Sequence, residues 1–289
     1  MINIAFFSSD ESFEELYKTL KKNGIYSKIL ITEKPKLAGR GLKTNSNAAN
    51  LSAQKYKIPV LFSDQTTANK IKAIIDEERI SLGFVFSFGQ KISAEIIKLF
   101  PLGIINLHPS LLPKFRGPSP IQSTIISGGN TGFTIIKINN DIDAGDILFQ
   151  KEIIISKNDD YISLKKKILD RAISKLPTII KKYAQGNIRG RPQDEKKASS
   201  TKLIKKSDGE ITSWDSAETG LRKIRAYAAW PKAYLIAGKK RLIIHQAKIE
   251  NEKLSIVLIQ PEGKKPMSFS EFKRGYGNLL TDFPDFVKI

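Results

Sequence analysis

The stretch IPVLFSDQTTANKIKAIIDEERISLGFVFSF, residues 58–88, decides the fold class. It opens with a short run rich in Ile, Val and Phe (58–63) and closes on a second one (82–88); between them Ala68, Ile71, Ile74 and Ile75 recur at spacings of three and four. Short runs that are apolar throughout suit strands buried on both faces, and the three-and-four spacing suits the inner face of a helix. The pattern extends outward on both sides. INIAFF (2–7), SKILIT (27–32) and GIINLH (103–108) read as further strands, and Phe13, Leu16 and Leu20 mark another helix. Alternation of this kind predicts an α/β domain built on a mostly parallel sheet. Such sheets bind ligands beyond the carboxyl ends of their strands, so chemistry is expected after residues 88 and 108.

Further along, FTIIKIN (133–139) and DILFQKEIII (146–155) read as two strands joined by the tight loop NDIDAGD. A single helix is expected from about Tyr161 to Tyr183, with Ile162, Leu164, Ile168, Leu169, Ile173, Leu176 and Ile180 on one broad face. The apolar pattern then fails while Lys181, Lys182, Arg189, Arg191, Lys196, Lys197, Lys202, Lys205 and Lys206 accumulate against Asp194 and Glu195, among Gly186, Gly190 and Pro192. That composition reads as an interdomain linker. Beyond it a short helix near 217–226 and strand-like runs at 233–237, 241–249 and 254–259 make a smaller, mostly β domain. The expected division is 1–184, a catalytic domain; 185–206, a basic linker; and 207–289, a small C-terminal domain. Trp230 with Pro231 is expected to pack in the core of that domain, and His245 to be structural.

The chain has 289 residues, enough to bury two moderate cores. It has no Cys, so disulfides and thiolate metal sites are impossible, and its only His residues are His108 and His245, which argues against a His-based zinc cluster; no metal is expected. The N-terminus reads as a first strand and not as a signal peptide. No apolar stretch reaches the roughly 20 residues needed to span a bilayer. A soluble, cytoplasmic protein is therefore expected; the sequence does not fix its oligomeric state, and a monomer is favoured. The net charge of +19, clustered as described, points to a polyanionic partner such as nucleic acid.

The most informative stretch for chemistry is INLHPSLLPKFRGPSPIQ, residues 105–122. Asn106 and His108 lie two apart at a strand end, so their side chains share one face. The loop 141–146 offers Asp141, Asp143 and Asp146 at the end of a neighbouring strand. An amide, an imidazole and a carboxylate, with neither thiol nor metal, suit attack of an amine on a carbonyl carbon. Asn106 and a protonated His108 can donate to the oxygen that turns negative, while Asp143 orients the ring and accepts the amine's proton, directly or through one water. Read singly, each has a bland role as turn former or structural His; the combination carries the reading.

NLHPSLLPKFRG at 106–117, together with DAGD at 143–146, resembles the signature of the folate-dependent formyltransferases. The resemblance implies a Rossmann-like formyltransferase domain, 10-formyltetrahydrofolate as co-substrate, and Asn106, His108 and Asp143 as the catalytic trio. It also implies that folate lies between the loop after the fourth strand and the loop before Asp143. That assigns folate contacts to Phe86, Ser87, Phe88, Gly89 and Gln90, to the turn Ser110, Leu111, Leu112 and Pro113, and to Asn139, Asn140, Asp141 and Ile142.

Four further stretches resemble the branch of this superfamily that acts on methionyl-tRNA: KPKLAGRGLK (34–43), RPQDEKKASSTKLIKKSDGEITSW (191–214), IRAYAAWPKAYL (224–235) and LIQPEGKKPMS (258–268). The implied reaction is formylation of methionyl initiator tRNA, a step of translation initiation fed by one-carbon metabolism. The implied tRNA contacts are Arg40, Lys43, Arg189, Arg191, Lys205, Lys206, Lys264 and Lys265, with residues 207–289 as an OB-like tRNA-binding domain. The alternative is a formyltransferase acting on a small amine such as an amino-sugar nucleotide. Two departures from the pattern stand out. Ser8-Ser9-Asp10-Glu11-Ser12 replaces a Gly- and Pro-containing turn, and the C-terminal domain looks shortened between Ile249 and Leu254, which predicts an open, three-stranded sheet there.

Overall fold

The computed structural model describes residues 1–38 and 43–288. They form two compact units. The first comprises Met1–Pro118, Gly132–Ile153 and Ile168–Ser200; the second comprises Ser119–Thr131, Ile154–Lys167 and Thr201–Ile289.

The first unit contains β1 (Ile2–Phe7), β2 (Ile25–Thr32), β3 (Lys36–Ala38), β4 (Lys43–Asn45), β5 (Val60–Phe62), β6 (Leu82–Val85), β7 (Ile104–His108), β8 (Thr131–Lys137) and β9 (Ile147–Ile153). Seven of these make one sheet in the order β5-β2-β1-β6-β7-β8-β9. The pairs β1/β2, β1/β6, β2/β5 and β6/β7 are parallel, and β8 runs antiparallel to β7. The continuous apolar runs exist because both faces of β1 are covered. Phe6 meets Phe13 and Phe84 edge-on, each at 4.9 Å, whereas its neighbour Phe7 points the other way onto Phe88 at 5.5 Å and Phe100 at 6.1 Å.

Helices α1 (Phe13–Lys22), α2 (Ala48–Lys55), α3 (Ala68–Glu78) and α4 (Ala94–Leu99) join the parallel strands. Asn47, Thr67 and Ser93 cap the last three by accepting a backbone N–H three residues on. After α5 (Pro120–Ser127), the helix expected over 161–183 is two helices, α6 (Tyr161–Ile173) and α7 (Leu176–Ala184). Pro177 lies in the first turn of α7. It has no N–H to give the preceding turn, and its ring would collide with the carbonyl four residues back, so the chain must restart there. Within and just after the basic stretch 34–43, β3 and β4 pair antiparallel, Leu37 opposite Thr44.

In the second unit α8 (Ala217–Ala226) precedes β10 (Ala233–Ala237), β11 (Lys240–Glu250), β12 (Lys253–Pro261) and β13 (Met267–Ser268), followed by α9 (Phe269–Tyr276) and β14 (Val287–Lys288). The expected three strands are thus five, because the two-residue strands β13 and β14 both join β12. The ladder does not close among the described residues. The apparent shortening at 249–254 is a tight hairpin: Asn251 and Glu252 have φ of 49° and 63°, the left-handed pair that a two-residue turn between twisted strands requires. The core gathers Leu242, Leu254, Ile259 and Phe272, with Phe272 stacked on Tyr276 at 5.1 Å. Pro231 is buried here, but Trp230 is 54% exposed, which corrects its assignment to the core. His245 hydrogen-bonds Gln260 at 2.7 Å within the sheet. Among the described residues no helix is long and apolar enough to cross a membrane.

Candidate active site

Asn106 and His108 lie at the end of β7, an interior strand of the sheet. Register places Asn106 opposite Val85 of β6 and Ile136 of β8, and His108 opposite Thr134. The loop that follows is built around buried hydroxyls. The Ser110 hydroxyl donates to the Lys114 carbonyl at 2.7 Å; Thr134 Oγ1 donates to the Ser110 carbonyl at 2.6 Å and accepts from the Leu112 N–H at 3.1 Å. Gln150 adds a bond from Nε2 to the Leu112 carbonyl at 2.7 Å.

The second loop joins β8 to β9. Asp141 N–H donates to Asn139 Oδ1 at 3.0 Å, and Lys137 N–H closes the loop on the Asp146 carbonyl at 2.9 Å. Gly145 allows that closure, since a Cβ there would lie 1.7 Å from the Lys137 carbonyl oxygen. Asp143 has a φ of 53°, a conformation a non-glycine residue keeps only when its surroundings hold it.

The two loops meet at one cluster. Asn106 Nδ2 donates to Asp143 Oδ1 at 3.1 Å, and the Gly117 N–H donates to Asp143 Oδ2 at 2.8 Å. His108 Nδ1 lies 3.5 Å from the same Oδ2, with side-chain exposures of 5% for His108 and 13% for Asp143. His108 Nε2 sits 2.9 Å from the Phe115 carbonyl. A carbonyl can only accept, so Nε2 carries a hydrogen and Nδ1 is the nitrogen that faces the carboxylate. At 3.5 Å the Nδ1–carboxylate contact is an ion-pair distance rather than a hydrogen bond. Donors held beside an acceptor carboxylate can steady a carbonyl oxygen gaining charge and receive a proton.

The residues expected to contact folate divide by burial. Phe86 and Phe88 are core side chains, while Ser87, Gly89 and Gln90 are exposed, with Ser87 and Gly89 in left-handed conformations. Asn139, Asn140 and Asp141 are exposed, as is Ile142 at 64%. Ser110 and Leu112 are buried scaffolding, Leu112 against Ile136 and Ile147; Leu111 and Pro113 are half-buried. Of the residues expected to contact tRNA, Arg189 and Arg191 are exposed on the first unit, and Lys205, Lys206, Lys264 and Lys265 on the second. The Arg191 guanidinium also donates to Gln150 Oε1 at 3.1 Å. Lys43 opens β4, and Arg40 lies outside the described residues. Among the described residues no group of three or more His, Cys, Asp or Glu is placed to hold a metal ion.

Sequence reasoning missed Thr134, Gln150, Phe115, Gly117 and above all Gln193. Gln193 Nε2 donates to the Asp143 carbonyl at 2.8 Å and to the Gly145 carbonyl at 2.7 Å. Its only signal is an uncharged amide in an otherwise charged run.

A mostly parallel α/β sheet with an amide, an imidazole and a carboxylate gathered at the end of an interior strand has the arrangement that acyl-group transfer requires. Residues 2–180 match the formyl transferase family, and residues 203–255 match the formyl transferase C-terminal domain. The chain belongs to the formyl transferase family. Among its relatives, the methionyl-tRNA formyltransferase of Thermotoga maritima is 30% identical over 298 residues, 95% of each chain. That of Sulfurihydrogenibium sp. is 36% identical over 222 residues, 76% of this chain and 71% of the relative. In fold the chain resembles the methionyl-tRNA formyltransferase of Clostridium thermocellum (TM-score 0.58, 20% identity, 93% of this chain and 100% of that one). It also resembles a 4-N formyltransferase of Francisella tularensis (TM-score 0.67, 16% identity, 86% and 98%).

Proposed function

We propose that the chain transfers the formyl group of 10-formyltetrahydrofolate to the amino group of methionyl initiator tRNA. The observation that carries this reading is the meeting of Asn106, His108 and Asp143 at the end of β7, Asn106 through a hydrogen bond to the carboxylate and His108 at 3.5 Å from it, in a chain 30% identical along 95% of its length to a methionyl-tRNA formyltransferase.

Ser87, Gly89 and Gln90, with residues 139–142, are exposed, and their peptide groups suit the edge of a flat heteroaromatic ring that both donates and accepts, while Ile142 offers an apolar surface. When bound, the folate supplies the formyl carbon. The protein's part is to hold and to neutralise. The amine attacks the carbonyl carbon while the second Nδ2 hydrogen of Asn106 and the Nδ1 hydrogen of a doubly protonated His108 donate to the carbonyl oxygen. Such donors work because they are fixed before the charge appears. Asp143 keeps the imidazole turned toward the reaction and takes the amine's proton, directly or through one water; the formyl carbon's bond to the folate nitrogen then breaks and that nitrogen receives the proton, so that tetrahydrofolate leaves.

In this reading residues 1–184 do the chemistry, while the basic stretch 185–206 and residues 207–289 hold the tRNA. Arg40, Lys43, Arg189, Arg191, Lys205, Lys206, Lys264 and Lys265 meet its phosphates, and the chain works as a cytoplasmic monomer. The test is an assay with 10-formyltetrahydrofolate and charged initiator tRNA, run beside a panel of amino-sugar nucleotides. The expected outcome is formylmethionyl-tRNA and no sugar product. His108→Ala and Asp143→Ala should each lower kcat on the order of 100- to 1,000-fold with folding intact. Formylation of the sugars alone, or full activity in the double variant, would overturn the reading.

A further inference from the structure

Residues 191–199, read from sequence as linker, bind both loops of the site. Arg191 exchanges two backbone hydrogen bonds with Ile147, at 2.9 and 3.0 Å. Gln193 spans the next turn, placing one Nε2 hydrogen on the carbonyl of Asp143 and the other on that of Gly145. Ser199 completes the span. Its hydroxyl accepts the Phe115 N–H at 2.9 Å and its carbonyl accepts the Arg116 N–H at 2.8 Å. Phe115 is the residue whose carbonyl holds His108.

The Gln193 amide is itself fixed. Arg116 donates to its Oε1 from Nε at 3.1 Å and from a terminal nitrogen at 2.9 Å, so the oxygen faces Arg116 and both amide hydrogens face the loop. Glu195 grips the same guanidinium at 2.7 and 2.9 Å, and that pairing holds its carboxyl below the ordinary glutamate range. We propose that Gln193 is a positioning residue for the transfer reaction, setting the backbone of the left-handed Asp143 so that the carboxylate meets Asn106 and His108. The assignment rests on the functional reading above. Its physical content is that the strain of the left-handed Asp143 is met by two hydrogen bonds flanking Ala144. Release of those bonds lets the carboxylate drift while both substrates still bind.

Two variants separate donation from space filling. Gln193→Ala removes the side chain. Gln193→Glu keeps the volume and the Arg116 contact but turns an acceptor oxygen toward the two carbonyls. If donation matters, both lower kcat by about 10- to 100-fold, as misplacement near an ångström does, with KM for tRNA and folate within about threefold and thermal midpoints within a few degrees. Wild-type kcat in Gln193→Glu, or in both variants a fall carried by KM or by loss of folded protein, would overturn it. The unsubstituted chain is assayed alongside. An inactive parent counts against the functional reading, whereas an active parent matched by Gln193→Glu counts against the Gln193 assignment alone.

Discussion

Thr134 shows how much of the site depends on single buried atoms. Its hydroxyl donates to Ser110 and accepts from Leu112 and, at 3.0 Å, from Gln150. Valine has nearly the same shape and none of these bonds. Thr134→Val strands the Ser110 carbonyl and the Leu112 N–H in a buried place, and each unmet group costs about 1–3 kcal/mol. A loss of about 2–4 kcal/mol in urea unfolding is expected; a loss below about 1 kcal/mol would show that the loop relaxes instead. Asp159 in the second unit behaves oppositely to an ordinary buried acid. Burial pushes its carboxyl up, but Lys167, the Ser156 N–H and Arg225 outweigh that and hold it below the ordinary value of 3.8. The depressed group stabilises the fold above that value, and the contribution fades as pH falls through the lower, folded-state value. Asp159→Asn should therefore melt below the parent at neutral pH, with the gap closing in strong acid; a gap independent of pH would sink the argument.

At the scale of elements, the turn between β8 and β9 exists because Gly145 lets two backbones touch. Gly145→Ala places a methyl against the Lys137 carbonyl, backbone that no rotamer can move aside. A destabilisation of about 3 kcal/mol is expected, and also a loss of transfer activity because Asp143 rides on this turn. A thermal melt beside a rate assay checks both, and a variant with parental melting and rate would disprove the close approach. The same turn marks where sequence was legible. The alternation of buried strands with three-and-four periodic helices made the parallel sheet readable, and the strand-end spacing of Asn106 and His108 placed them on one face. Contacts made by backbone were not readable. Gln193 acts through carbonyls that any residue carries, and the sheet partners β13 and β14 are too short to leave a period. The break before α7 was written in Pro177, but the unbroken apolar face masked it.

Across the whole molecule the dominant fact is a net charge of +19. A chain so charged gains affinity for a phosphate backbone chiefly by releasing counterions, so binding should weaken steeply with salt. Lys264 and Lys265 test this away from the chemistry. Both are exposed just after β12, where the Lys264 N–H bonds back to the Pro261 carbonyl and its own carbonyl accepts from the Gln260 side-chain amide, so Lys264 enters these turn bonds through its backbone and not through its ammonium group. Replacing both by Ala should leave folding intact, raise Kd for charged initiator tRNA, and reduce the slope of log affinity against log salt by about one for each phosphate no longer neutralised. Titrations from about 50 to 200 mM salt measure that slope directly. An unchanged slope with weaker binding would mean these lysines read something other than phosphate, and an unchanged affinity would remove them from the tRNA surface altogether.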